Sequence, residues 1–205
     1  MKQFKKANRI QLALIAVVIL AAAALFLFSG VKRDIGTCRE YKLDVKALSL
    51  STQITVYQDE ESLYTISGNL FRIIEDPLTM YDMTGNKIAY AGDAYHFIAQ
   101  DSHGIRYGTD TKIDMVGEVN LLGQSYSIYD SDGKRLASVK VDPLNLRGKM
   151  VDTDGNLLAD YTSRFLMYDF DVRIKEECTL EDEIVLMIFS AYFSDYKYDS
   201  QQSSK

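Results

Sequence analysis

Two cysteines, two histidines and a repeated Asp-x-x-Gly unit are the residues whose types and spacing could support chemistry in this sequence. A disulfide between Cys38 and Cys178 would close a long loop, and in the chain-entropy account such a bond stabilises a domain by roughly 3–5 kcal/mol. An extracytoplasmic setting would favour that bond, and two unpaired thiols are the other reading. Neither cysteine belongs to a CxxC unit or stands near a histidine pair, so the spacing does not indicate a metal site. His96 and His103 fit neither HExxH nor a compact ligand set. His96 falls in a strand-like run and His103 in an expected turn, which points to structural or surface roles. The sequence contains no GxSxG, P-loop or GxGxxG, and its carboxylates fall in turns or at a helix start rather than in an acid/base pair. No cofactor and no catalytic residue is expected.

The Asp-x-x-Gly unit occurs at Asp82–Gly85, Asp101–Gly104, Asp130–Gly133 and Asp152–Gly155. In "DSDG" and "DTDG" it contains half of a calcium loop, but no distal Glu completes the ligand set. A hairpin turn explains the unit better. An Asp side chain accepts hydrogen bonds from backbone just ahead of it, and Gly supplies the positive-φ residue that closes the loop. Successive units lie 19, 29 and 22 residues apart, too irregular for a solenoid and right for a meander.

The segments between these turns must be strands. "LSLSTQITVYQ" (48–58) alternates Leu48, Leu50, Ile54 and Val56 with polar residues, the period-two pattern of a half-buried strand. "DEES" (59–62) turns the chain, and short runs rich in Tyr, Ile, Val and Phe follow. One segment near the end differs. After Thr179 and the acidic Glu181, Asp182 and Glu183, which suit a helix N-terminus, the chain is apolar all round through Ile184, Val185, Leu186, Ile188, Phe189 and Tyr192. A helix apolar on every face is buried on every face, and this one is too short to span a bilayer. The expected domain is therefore a strand-built shell over 48–196 enclosing a helix at 180–195, with a disordered tail at 197–205.

The first thirty residues have another role. Gln11–Ser29 is a run of nineteen uncharged residues, long enough as a helix to cross the ~30 Å hydrocarbon core. It exceeds the apolar region of a cleaved signal peptide and ends without a small-x-small site. A basic N-terminus (1–10), a retained transmembrane helix (11–30) and a juxtamembrane linker (31–47) are expected. Lys2, Lys5, Lys6 and Arg9 precede the span and only Lys32 and Arg33 follow it. The positive-inside rule then places the N-terminus in the cytoplasm and the domain outside, in a single-pass cell-membrane protein. Setting aside these six cations leaves 17 Lys plus Arg against 29 Asp plus Glu, a net charge of about −12. That bulk field opposes both nucleic acid and anionic lipid headgroups and leaves a local basic patch as the one route to either, so no nucleic-acid partner and no specific anionic-lipid binding are expected.

From about Asp59 to Asp195 the chain resembles the LURP-one-related and tubby C-terminal-like family, which includes the phospholipid scramblases. The segments that carry the resemblance are "LYTISGNLFRIIEDPLTMYDMTGNKIAYAG", "YSIYDSDGKRLASVKV", "MYDFDVRI" and the closing "LEDEIVLMIFSAYFSD". The resemblance implies a closed antiparallel barrel of about twelve strands threaded by the C-terminal helix. Tubby domains bind phosphoinositides through basic residues, and no matching Lys/Arg cluster is found here. Scramblases carry a membrane segment after the barrel, whereas here it stands before. The expected function is non-catalytic binding or scaffolding at the cell surface with an unknown protein or envelope partner. A lipid-associated module is the alternative and an enzyme the second.

Overall fold

The computed structural model describes residues 35–46, 51–68, 77–93, 102–118, 124–142, 146–165 and 168–202. The basic N-terminus, the apolar segment 11–30, His96, Asp101 and the last three residues lie outside them. Among the described residues no helix is long and apolar enough to cross a membrane.

The described chain is mainly β. Its strands are β1 (Cys38–Val45), β2 (Gln53–Gln58), β3 (Glu61–Ser67), β4 (Leu78–Asp82), β5 (Lys87–Asp93), β6 (Ser102–Tyr107), β7 (Thr111–Glu118), β8 (Ser125–Asp130), β9 (Arg135–Val141), β10 (Arg147–Asp152), β11 (Leu157–Phe165) and β12 (Asp169–Lys175), and one helix, α1 (Asp182–Gln202), follows. Each strand pairs antiparallel with its sequence neighbours, and β1 closes the barrel by pairing with both β2 and β12. Closure leaves no free sheet edge.

That closure corrects one expected boundary. Within the linker expected over 31–47, Cys38–Val45 is a full barrel strand, in register from Cys38↔Lys175 to Asp44↔Asp169. Tyr41, Leu43 and Val45 are buried at alternate positions, a period-two signal that the nearby apolar segment masked. The compact unit that holds the barrel begins at Ile35.

The three closely matching Asp-x-x-Gly units build one and the same turn. Asp82 Oδ1 accepts the amides of Thr84 (2.9 Å) and Asn86 (2.8 Å). Asp130 Oδ1 accepts those of Asp132 (3.0 Å) and Lys134 (2.9 Å), and Asp152 Oδ1 those of Asp154 (2.9 Å) and Asn156 (2.8 Å). Gly85, Gly133 and Gly155 adopt φ of 87°, 76° and 87°, and the ladder register shifts just before each Asp. These carboxylates face their own backbone, which accounts for them without calcium. The fourth unit is not a turn. Gly104 lies within β6, opposite Gly92 and Asp114, and the chain reverses instead at Gly108, with φ of 60°. His103 is likewise a strand residue, buried opposite Met115, rather than a turn residue. The β2–β3 turn is Asp59-Glu60 alone, both with positive φ. Glu61 and Ser62 already belong to β3.

Hydrogen bonds from Thr84 and then Asn86 lower the Asp82 carboxyl to about 2, and Asp152 moves in the same direction through Asn156. A depressed folded-state value means stability that is present above the ordinary carboxyl range near ~4 and lost as pH falls toward 2. The urea midpoint of the wild type should therefore drop more steeply than that of Asp82→Asn between pH 5 and pH 2.5. Parallel curves would show that the turn does not carry this linkage.

The core is α1 inside the barrel. From Ile184 to Phe193 no apolar side chain of α1 is more than 4 % exposed. It meets the inward residues of the wall, among them Leu43, Val56, Met80, Met115, Val139 and Val172. Tyr161 fills one side, with ring centroids 5.3 Å from Phe189 and 5.0 Å from Phe193. Gly148, across from Tyr161 on β10, makes room for that ring, since a Cβ there would lie 2.1 Å from Tyr161 Cε1. The helix starts at Asp182, two residues later than expected, and runs to Gln202, into the segment 197–205 expected to be a disordered tail. A nucleated helix gains one hydrogen bond for each residue added, so a barrel-held core lets polar residues propagate it.

Candidate functional site

The barrel has two unlike ends. The turns β2–β3, β4–β5, β6–β7, β8–β9 and β10–β11 share one end with the entry of α1, and the other ends of these strands lie opposite. At the helix-entry end, Arg39, Tyr41, Cys178, Thr179, Leu180, Glu181, Asp182 and Glu183 line a pocket of about 440 Å³.

The pocket is built where strand residues reach the first turn of α1. Arg39 grips Asp182 with two bonds, Nε to Oδ2 at 2.6 Å and Nη2 to Oδ1 at 2.7 Å. Its Nη2 also donates to the Lys175 carbonyl (3.3 Å). Tyr41 donates its hydroxyl to Asp182 (2.5 Å) and Tyr64 donates to Glu183 (2.6 Å). The Glu181 carbonyl accepts the first amides of the helix, from Ile184 (3.0 Å) and Val185 (3.2 Å), so it takes the capping position expected of Thr179. Acidic side chains also suit this positive end of the helix dipole.

The electrostatics favour fixed bonds over proton transfer. The Asp182 carboxylate raises the Arg39 guanidinium. Burial, then the bond to Asp182, pushes the Tyr41 hydroxyl well above its ordinary value, and burial, then Glu183, does the same for Tyr64. Tyr107 rises through burial beside Glu183 and Glu181, and burial raises the Cys178 thiol. Each of these groups is held in its protonated form at neutrality, whereas general acid–base catalysis and thiolate nucleophilicity want values near the working pH. Raised tyrosine values contribute stability that is full below the ordinary value near ~10 and is lost as pH rises past it. The double variant Tyr41→Phe/Tyr64→Phe should show a shallower fall in Tm between pH 8 and pH 11 than the wild type. An unchanged slope would refute this account of the entry network.

The fold brings the two cysteines to this same end, since Cys38 is opposite Lys175 and the Cys178 amide donates to the Lys175 carbonyl (3.0 Å). No disulfide joins them. Cys178 lines the pocket together with Arg39, and both cysteines are half-buried. Among the described residues no three His, Cys, Asp or Glu side chains converge where a metal ion could bind. Sequence reasoning singled out Glu181, Asp182 and Glu183 but missed Arg39, Tyr41 and Tyr64. Only the closure of β1 against β12 carries Arg39 to a partner 143 positions away.

No protein-family model matches the chain, and no curated protein matches it.

Proposed function

We propose that this chain is a membrane-tethered, non-catalytic binding or scaffolding module, built on a tubby-like barrel and presented at the cell surface. The observation that carries the reading is the filled interior. The side chains of α1 occupy the space where a barrel of this kind would otherwise hold a ligand or a reacting group. Recognition then falls to the outside of a rigid scaffold. The one-piece packing of strands and helix suits a platform that keeps its shape on binding. The apolar run 11–30 supplies the tether, and the cations before it favour an outward-facing barrel.

Two linked measurements test this. A membrane-impermeant maleimide should label Met83→Cys, at a position 60 % exposed, on intact cells; labelling only after lysis would reverse the proposed orientation. Photo-crosslinking residues placed at Asp110 and Asp132, at the helix-entry end, and at Tyr168, at the opposite end, should give a discrete protein adduct from one end. Adducts dominated by lipid would favour the lipid-associated alternative, and no adduct from any of the three would remove the support for a binding module.

A further inference from the structure

Strand alternation sorts β9 and β10 into two faces. Val139 and Met150 are fully buried and point inward, and the Cβ position of Gly148 abuts the buried Tyr161. Lys140, Lys149 and Arg147 therefore share the outer face. Lys140 and Lys149 are direct cross-strand partners, and both are exposed. Arg147 precedes Lys149 by two positions on the same strand and is half-buried, and its Nη2 is enclosed and makes no hydrogen bond.

The neighbouring acceptors are engaged elsewhere. Asp160, across from Lys149 on β11, gives both oxygens to Arg173, at 2.9 and 2.6 Å. Asp142 follows Lys140 by two positions and its amide donates to the Arg147 carbonyl (3.0 Å), while its Oδ1 caps the Leu146 amide (3.0 Å). Among the described residues none of the three cations forms an ion pair. In a domain with many more carboxylates than cations, two lysines are cross-strand partners and a guanidinium nitrogen is shut away unmatched. Like charges directly opposite one another destabilise a sheet, and an enclosed donor without an acceptor does the same to its surroundings.

We propose that Lys140, Lys149 and Arg147 form a binding site for a small, soluble, multiply charged oxyanion of the phosphate or pyrophosphate type. Such a ligand turns the like-charge opposition of the two lysines into a bridge, and Arg147 beside them adds a third positive charge. Arginine offers a planar donor fork that matches oxyanion geometry, and the lysines add mobile point charges. The neighbouring strands lie about 4.8 Å apart, so the footprint is that of one compact group rather than an extended polyanion. This site is independent of the reading of the barrel as a surface-presented scaffold.

The test titrates the full-length chain with inorganic pyrophosphate, by calorimetry and by Tm, against sodium chloride at matched ionic strength. The wild type should bind saturably and its Tm should rise with pyrophosphate. Lys140→Ala/Lys149→Ala should weaken binding at least 10-fold and abolish the Tm rise, and Arg147→Gln should weaken binding as well. Without pyrophosphate the double lysine variant should be as stable as the wild type or more so, a sign opposite to that of a merely structural role. Lys112→Ala, whose ammonium is paired with Asp114 (3.3 Å) on β7, should bind like the wild type. Lack of saturable binding, or equal affinity in the double variant, would overturn the proposal. Lysine-dependent binding to vesicles of anionic phospholipid with no response to pyrophosphate would overturn the assignment to a soluble ligand.

Discussion

Phe189→Ala is expected to remove about 3–5 kcal/mol of stability, the range for truncating a buried aromatic. Phe189 is wholly buried on α1, with its ring edge-on to Tyr161 at 5.3 Å and a further centroid, Phe193, at 6.5 Å. A closed barrel cannot collapse around the space left at its axis, because every wall strand is bonded on both sides. The cavity term should therefore be near its maximum. Domains of this size have about 5–15 kcal/mol in total, so the variant should be close to its unfolding limit at 37 °C. Urea unfolding measures the loss. Phe189→Leu, which keeps most of the volume, should lose less, and Met83→Ala, on an exposed turn, should stay within about 0.5 kcal/mol of the wild type. Equal effects at Phe189 and Met83 would contradict an enclosed helix.

The second large effect belongs to the outer wall. Asp160 and Arg173 face each other across β11 and β12, and their side chains are only 10 % and 9 % exposed. Two bonds, Nε to Oδ1 at 2.9 Å and Nη2 to Oδ2 at 2.6 Å, satisfy the pair. Arg173→Ala should cost about 3–5 kcal/mol, because it leaves a carboxylate in a largely enclosed position without its partner. Replacing both, as Asp160→Leu/Arg173→Met, should recover most of that loss, since packed apolar side chains substitute well for a buried ion pair. A double-mutant cycle with chemical denaturation separates the two cases, and strictly additive losses would show that the residues are not coupled. Surface pairs such as Arg135–Glu118, at 3.7 Å and nearly half exposed on each side, should contribute under about 1 kcal/mol.

The sequence by itself determined what a few neighbouring residues can decide. Asp82, Asp130 and Asp152 close their turns within five residues, and an uninterrupted apolar run from Ile184 identifies a helix buried on all sides, whatever surrounds it. Short alternating runs specify strands, and from these the mainly β class follows. The tertiary structure alone decided the rest. "DSHG" carries the same two end residues as the turns, yet pairing with β5 and β7 holds Gly104 in mid-strand. The alternation in Cys38–Val45 is as regular as that of its neighbours, but its place in the barrel depends on β12, more than a hundred residues on. Arg39 meets Asp182 only through that closure, and Lys140 opposes Lys149 only through the register of β9 on β10. Turns are local minima of a few dihedrals, legible one at a time. Register and closure are properties of all twelve strands together, since shifting one pair by a single residue exchanges its inner and outer faces, and only the packed barrel selects among those arrangements.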